Sequence, residues 1–77
     1  MKNDKTFNFE ILHHYGAFGM SPKGLSKELN LVSWCNGKPV YDLRAWNSSH
    51  TYSSSGITIT AEELEALASI ILKLMHI

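Results

Sequence analysis

One pair of side chains in this sequence has the types and spacing to bind an anion. Asp42 and Arg44 are two residues apart, so on a strand they share one face and the carboxylate can orient the guanidinium. The planar fork of the arginine would then be available to a phosphate, although an ordinary ion pair of little energetic value fits the spacing equally well. Trp34, Tyr41 and Trp46 lie nearby in the sequence, and unpaired bases stack on such rings for about 1–3 kcal/mol per base.

Basic side chains accompany these rings in the first part of the chain. The candidate phosphate contacts are Lys23, Lys27, Lys38 and Arg44. The formal net charge is zero, yet residues 1–60 hold six basic and four acidic side chains, whereas residues 61–77 carry a net charge of −2. On composition alone the binding signal is weak, because two tryptophans and a tyrosine in a small sheet are more often core or interface residues.

The other reactive side chains form no recognisable catalytic or metal centre. His13 and His14 are adjacent, so a strand would direct them to opposite faces, and no cysteine or carboxylate stands at a usual zinc spacing from them. Cys35 is single. His50 lies in a polar stretch that suggests a surface position, with a contact to the ligand backbone as the alternative. No Gly-x-Ser-x-Gly elbow and no Walker lysine are present. We therefore expect no enzyme, no catalytic residue, no metal and no cofactor.

The elements that must position these residues follow from the hydrophobic pattern. Alternation predicts strands over residues 7–11, 29–35, 40–46 and 56–59. Residues 13–23, with two glycines, a proline and Gly24 directly after them, are expected to be a loop. Residues 47–55 (NSSHTYSSS) are predicted to be a polar loop with little reason to be rigid. Asn36-Gly37 predicts a tight type I′ hairpin turn.

That turn fixes the expected pairing between the second and third strands. Cys35 would pair with Lys38, Trp34 with Pro39, and Val32 with Tyr41. One face would then carry Asn30, Val32, Trp34, Pro39, Tyr41 and Leu43, and the other Leu29, Leu31, Ser33, Cys35, Lys38, Val40, Asp42, Arg44 and Trp46. Neither face is uniformly apolar, so alternation does not decide which one is buried.

The C-terminal segment predicts a capped helix with more apolar surface than one subunit can cover. Thr60 is an N-cap with Glu63 three residues on, which is a capping box, and the helix should run from about Ala61 to near the C-terminus. A four-stranded sheet covers one helical face, so the surplus apolar surface predicts a two-fold dimer, with a frayed and partly exposed terminal helix as the alternative. The expected interface residues are Leu64, Leu67, Ile70, Ile71 and Leu74.

Length and composition set the broad class. Seventy-seven residues make one domain, residues 1–77, and a core this small often depends on oligomerisation. The single cysteine indicates a reducing compartment. No signal peptide is visible, and the longest apolar-rich stretch, residues 64–77, is too short to span a bilayer. A cytoplasmic protein is expected, without membrane association.

Several motifs resemble the bacterial members of the positive-cofactor-four family of transcriptional coactivators. They are KELN at 27–30, VSW at 32–34, YDLRAW at 41–46 and GITI before the capped helix, with Pro22-Lys23-Gly24 ahead of them. The resemblance covers about residues 7–75. It implies an α+β fold, a curved four-stranded antiparallel sheet followed by one helix (β-β-β-β-α), that dimerises and presents its sheets to single-stranded DNA.

By this resemblance Arg44 is the phosphate-binding arginine and Trp46 a stacking aromatic. Lys23 and Lys27 match basic positions of the family at the start of the second strand. Trp34 falls close to the aromatic residue that the family has in the second strand and its turn. The family usually has a basic residue where this chain has Ser53-Ser54-Ser55, so one phosphate contact is missing.

Two functions remain open. The first is sequence-tolerant binding of single-stranded DNA, with RNA as a further ligand, in transcription or DNA maintenance near the nucleoid and beside transcription or replication proteins. The second is a dimeric protein-interaction module of the same fold with little nucleic-acid affinity, which the zero net charge and the serines before Gly56 favour.

Overall fold

A computed structural model describes residues 8–76 as one open antiparallel sheet followed by one helix. Strands β1 (Phe9–Met20), β2 (Ser26–Trp34), β3 (Val40–Trp46) and β4 (Ile57–Ile59) lie in sequence order across the sheet. Helix α1 (Ala61–Met75) follows. The predicted α+β class and the β-β-β-β-α order are confirmed. Of the strand predicted at 7–11, residue 7 lies outside the described residues and residue 8 precedes β1, so the described part of the strand begins at Phe9.

Strand β1 is much longer than the sequence pattern predicted. The expected loop at residues 13–23 is wrong as far as Met20, because β1 continues to pair with β2 up to that residue. The pairing skips Leu12, Tyr15 and Phe18 in turn, so a bulge occurs at every third residue. Each bulge bends and twists the strand. Simple alternation is lost as a result, which is why the pattern resembled a loop.

The hairpin between β2 and β3 turns one residue earlier than predicted. Cys35 and Asn36, with φ of 52° and 60°, occupy the centre, and the amide of Gly37 donates to the carbonyl of Trp34 over 2.8 Å. The predicted Asn36-Gly37 centre is therefore wrong, although the positive φ angles of a type I′ turn are present. Pro39 has no N–H to pair with Trp34, and regular pairing begins at Val40.

The pairing beyond the turn changes which residues share a face. The moved turn alone would shift the pairing by two residues and keep the faces, but one extra residue between Gly37 and Val40 makes the net shift one residue. Val32 pairs with Val40 and not with Tyr41, so the predicted pairing of the two strands is off by one residue. Side chains alternate between the two faces within each strand as expected. The even-numbered residues of β2, however, share a face with the even-numbered residues of β3 and not with the odd-numbered ones. One face, here called the tryptophan face, carries Glu28, Asn30, Val32, Trp34, Val40, Asp42, Arg44 and Trp46. The other, the helix face, carries Lys27, Leu29, Leu31, Tyr41, Leu43 and Ala45.

The most deeply buried side chains lie mainly on the tryptophan face. Val32 and Trp46 are buried there together with the polar side chains of Asn30 and Asp42. The helix face is covered less completely. An apolar groove of about 350 Å³ lies between it and α1, lined by Phe18, Leu29, Leu43, Leu64, Leu67, Ala68 and Ile71.

Helix α1 begins as the sequence predicted. The Thr60 hydroxyl accepts from the Glu63 amide over 3.1 Å, and the Glu63 carboxylate accepts from the Thr60 amide over 2.8 Å. The capping box is thus confirmed. The helix has no buried residue. No helix in the described part of the chain is long and apolar enough to cross a membrane.

Candidate nucleic-acid interface

The observed register gathers three of the sequence-predicted site residues on the tryptophan face. Arg44 lies opposite Glu28, and Trp46 lies opposite Ser26, while Trp34 ends β2 on the same side. Directly paired residues of an antiparallel sheet present their side chains to one face, and every second residue follows. The net shift of one residue in the pairing of β2 with β3 is therefore what places Trp34 beside Arg44 and Trp46, which the predicted register put on opposite faces.

Three aromatic rings from three strands form the base of a cleft on this face. The ring centroid of Phe9 lies 5.6 Å from Trp34 and 5.3 Å from Trp46, and the two indoles are nearly parallel at 6.4 Å. These distances suit tilted and offset aromatic packing. We call the resulting space of about 440 Å³ the aromatic cleft; it is lined by Phe9, Trp34, Arg44, Trp46, Thr51, Tyr52, Ser53 and Thr58.

Arg44 is fixed in place by a carboxylate and a ring. Its Nε donates to both carboxylate oxygens of Asp42, at 2.8 and 3.0 Å, and its guanidinium carbon lies 4.5 Å from the ring centroid of Trp34. Asp42 is completely buried and also accepts from Trp34. Burial raises the pKa of the Asp42 carboxyl, and the hydrogen bonds from Arg44 and Trp34 oppose that rise.

This geometry favours the first of the two roles considered for the Asp42–Arg44 pair. Within residues 8–76, the hydrogen bonds of Arg44 come from Nε alone, so its two terminal nitrogens remain available to a further acceptor. The Arg44 side chain is 16% exposed and the Asp42 side chain is not exposed at all. The pair is therefore not an ordinary surface ion pair, and its orientation does not depend on a flexible partner.

Trp46 is less accessible than a stacking platform requires. It is only 2% exposed, because the rings of Phe9, Trp34 and His50 surround it. A base could reach its face only if Phe9 or His50 moved. Its indole Nε1 is buried without a hydrogen-bond partner among residues 8–76. The rings at the rim are better placed, and Tyr52, which sequence reasoning did not single out, is 58% exposed.

The structure does not bring the three predicted lysines into the aromatic cleft. Lys27 pairs with Ala45 on the helix face, where it lines a shallow groove with Ser54 and Ser55. Lys23 lies in the turn between β1 and β2, and Lys38 lies between the hairpin turn and β3; both are exposed. Arg44 is thus the one strong cation among the residues that line the cleft.

A polar cluster centred on the buried carboxylate of Glu28 lies on the same face, and no sequence motif predicted it. Glu28 Oε1 accepts from Asn30 Nδ2 over 3.1 Å and from His50 Nε2 over 2.9 Å, and His14 Nδ1 lies 3.5 Å from it. Burial would raise the pKa of the Glu28 carboxyl, but hydrogen bonds from Asn30, His50 and Ser26 outweigh it and hold that pKa below its usual range. The two-residue spacing of Glu28 and Asn30 was the only hint.

The loop after β3 is organised by one asparagine, contrary to the expectation of a segment with little reason to be rigid. The Asn47 side-chain oxygen accepts from the amides of Thr51 and Tyr52, both over 2.9 Å. Its nitrogen donates to the hydroxyls of Ser49 and Thr51. Such side-chain bonds to nearby amides stabilise turns. This loop therefore holds Thr51 and Tyr52 at the rim of the aromatic cleft.

Among residues 8–76, no three His, Cys, Asp or Glu side chains are grouped so that they could hold a metal ion. The cleft therefore offers rings, one guanidinium and hydroxyl groups to a ligand. Flat rings beside an oriented cation suit a ligand that combines aromatic and anionic groups.

Comparison with known proteins shows the family to which the chain belongs. No protein-family model matches the chain. A protein of Treponema pallidum (strain Nichols), described as an uncharacterized protein, is 36% identical over 66 residues. The match covers 84% of this chain and 76% of the Treponema protein. The chain belongs to the same family as this Treponema protein. Because the match spans most of both chains, the family shares the domain as a whole and not a short motif. The description of the Treponema protein assigns no activity to the family.

Proposed function

We propose that this chain binds single-stranded nucleic acid through the aromatic cleft, as a homodimer of the positive-cofactor-four type. The observation that carries the proposal is the position of Arg44, held by Asp42 over the ring of Trp34 at the edge of a cleft lined by aromatic side chains. Unpaired bases need ring faces, and the backbone between them needs a cation.

Each part of the cleft has a defined task in this proposal. Tyr52 at the rim and the half-buried ring of Trp34 on the floor of the cleft offer ring surface to a nucleobase, and the terminal nitrogens of Arg44 offer two parallel N–H donors to one phosphate. Thr51 and Ser53 provide hydroxyls that can contact sugar or phosphate oxygens. None of these contacts reads a particular base edge, so binding should tolerate different sequences.

The charge distribution sets the expected strength of binding. The chain has no net charge, and Lys23, Lys27 and Lys38 lie outside the cleft. For single strands the logarithm of the binding constant falls with the logarithm of salt concentration by roughly 0.7 per phosphate contact. We therefore expect modest affinity with a shallow salt dependence, governed by stacking more than by charge.

Homodimerisation is supported by the surface of α1. Ile70, Leu72, Leu74 and Met75 are all exposed in the single chain, and Ile70 is 61% exposed. The radius of gyration is 14.1 Å, whereas a compact domain of this length would have about 11.5 Å. A second copy that covers α1 and the neighbouring apolar groove would remove this apolar surface from water. It would also pack against a chain that is more extended than a compact single domain.

A matched pair of tyrosine variants tests the proposal. Tyr52→Ala removes an exposed ring from the cleft, and we expect it to weaken binding to oligothymidine by about 5- to 150-fold, the value of one stacked base. Tyr15→Ala removes an exposed ring from the opposite side of the sheet and should leave the affinity unchanged, with light scattering used to verify an unchanged oligomeric state. Equal affinities for both variants would show that the cleft is not the site.

A basic variant tests the role of the guanidinium fork separately. Arg44→Lys keeps a charge near Asp42 but presents no planar pair of donors. Weaker binding with an unchanged fold, measured by circular dichroism, is the expected result. Unchanged binding would remove Arg44 from the interface. If no variant and no wild-type protein binds single strands, a dimeric protein-interaction module becomes the better account.

A further inference from the structure

The loop that forms one wall of the aromatic cleft is attached to the sheet through His50. This loop, residues 47–55, supplies Thr51, Tyr52 and Ser53 to the cleft. The Nε2 of His50 lies 2.9 Å from Glu28 Oε1, and its ring lies 5.5 Å from the ring of Trp46. One histidine thus contacts both the buried carboxylate and the buried indole.

The backbone of His50 indicates that this attachment has an energetic cost. Its φ is +57°, in the left-handed region that residues other than glycine rarely adopt. Such conformations persist where the surrounding contacts determine them, and they concentrate at functional sites. The contacts that determine this one are those with Glu28 and Trp46, together with the bond from the His50 amide to the Asn47 carbonyl over 3.0 Å.

From these contacts we infer that His50 is a positioning residue of the cleft, and that its contact with Glu28 makes the loop wall and nucleic-acid binding sensitive to protons. The effect on binding rests on the proposed function, whereas the contact itself does not. No substrate bond is made or broken in this step, and only the charge on the imidazole changes.

The direction of the effect follows from the charges around Glu28. With neutral imidazole, His50 donates a hydrogen bond to a carboxylate and the pair carries a charge of −1. With protonated imidazole, the same contact becomes an ion pair with no net charge, which is stronger and repels phosphate less. Lower pH should therefore hold the loop more firmly and favour an anionic ligand.

The other groups around Glu28 must be considered with it. His14 of β1 lies 3.5 Å from the carboxylate and can add a second proton-dependent charge. Asn30 and Ser26 of β2 contribute neutral hydrogen bonds, and Arg44 of β3 is the cross-strand neighbour. Arg44 bonds Asp42 through Nε, and among residues 8–76 it forms no hydrogen bond or ion pair with Glu28. Asp42 carries the nearest other carboxyl on this face.

The first experiment uses the protein without nucleic acid. Tryptophan fluorescence is recorded between pH 8 and pH 5.5, since a protonated imidazole in ring contact quenches an indole. Wild-type protein should lose emission over the range in which histidines titrate, and His50→Gln should show little change, whereas His13→Gln, which alters a histidine packed on Tyr15, should behave as wild type. An unchanged titration in His50→Gln would overturn the inference.

The second experiment measures oligothymidine affinity at pH 6.0 and pH 7.8 by fluorescence anisotropy. Wild-type protein should bind about threefold or more tightly at the lower pH, within the tenfold per pH unit that one proton allows. His50→Gln retains a donor for Glu28 but cannot gain a proton, so the ratio of its affinities at the two pH values should fall close to one. His14→Gln should keep the larger part of the gain in affinity that wild-type protein shows at the lower pH. An equal gain in His50→Gln and wild type would refute the role of His50.

The two experiments separate failure of the inference from failure of the proposed function. Absence of oligothymidine binding at both pH values would remove the proposed function, and the fluorescence titration would still decide the His50–Glu28 contact. Glu28→Gln provides a second variant, because it keeps the shape of the partner while removing its charge. Its fluorescence titration should be weaker than that of wild type, and a titration equal to wild type would contradict the inference.

Discussion

Removal of Arg44 should destabilise the fold by much more than a surface residue would. Asp42 has no exposed side-chain surface, and its carboxylate accepts two hydrogen bonds from Arg44 Nε. Breaking a buried pair by deleting one partner leaves an unpaired buried charge, at a cost of about 3–5 kcal/mol. A chain of this length has a total stability on the order of 4–12 kcal/mol, so Arg44→Ala can unfold a large fraction of the molecules.

Urea unfolding followed by circular dichroism measures this cost. The double variant Asp42→Asn with Arg44→Ala removes the buried charge along with its partner, so it should recover most of the lost stability. A loss below about 1 kcal/mol for Arg44→Ala alone would refute the reasoning, because that is the value of an exposed ion pair. The result also decides how binding data on Arg44→Ala are interpreted, since an unfolded variant cannot report on a phosphate contact.

Three further predictions concern the sheet edge, the helix surface and the buried carboxylate. Gly56→Ala should lower stability by about 1–3 kcal/mol, because a Cβ there would overlap the Leu43 carbonyl and the Arg44 side chain; an unchanged thermal midpoint would contradict this. Ile70→Glu should convert dimers to monomers in light scattering, whereas Ser69→Glu, on the adjacent helix position, should not; equal masses would refute the helix interface. Glu28 has a folded pKa below its unfolded value, so its stabilisation is present above the unfolded pKa and is lost as pH falls through the folded pKa. Urea titrations from pH 5 to pH 2.5 should show that loss in wild type and not in Glu28→Gln, with exposed Glu10→Gln as the control.

Features that depend on a few neighbouring residues could be predicted from the sequence. The capping box at Thr60 and the span of β3 are local, and both agree with the structure. The order of four strands followed by a helix likewise followed from periodicity and turn residues. These signals need no knowledge of which segment lies alongside.

Features that depend on a partner strand could not be predicted from the sequence. The bulges at Leu12, Tyr15 and Phe18 exist only because β1 pairs with a strand that lacks them, so the sequence of β1 alone showed glycines and broken alternation. The hairpin holds one extra residue between its turn and β3, so the strands pair one residue away from the predicted register, and a slip of one residue exchanges faces. That slip separated Trp34 from Arg44 in the prediction.

The candidate site was predicted in part for the same reason. Trp34, Arg44 and Trp46 were selected by residue type, and the structure gathers them. Phe9 and Tyr52 come from distant segments, and nothing local linked them to the others. The burial of Trp46 and the contact of His50 with Glu28 arise from the folded loop, which polar composition could not reveal.

Binding of a labelled oligothymidine of about 20 nucleotides, followed by fluorescence anisotropy at low and near-physiological salt, tests the central proposal most directly. The proposal predicts micromolar or tighter binding that weakens modestly with salt, is blocked by unlabelled single strand and only poorly by duplex, and is reduced in Tyr52→Ala. Absence of binding at low salt, or equal competition by duplex, would contradict it.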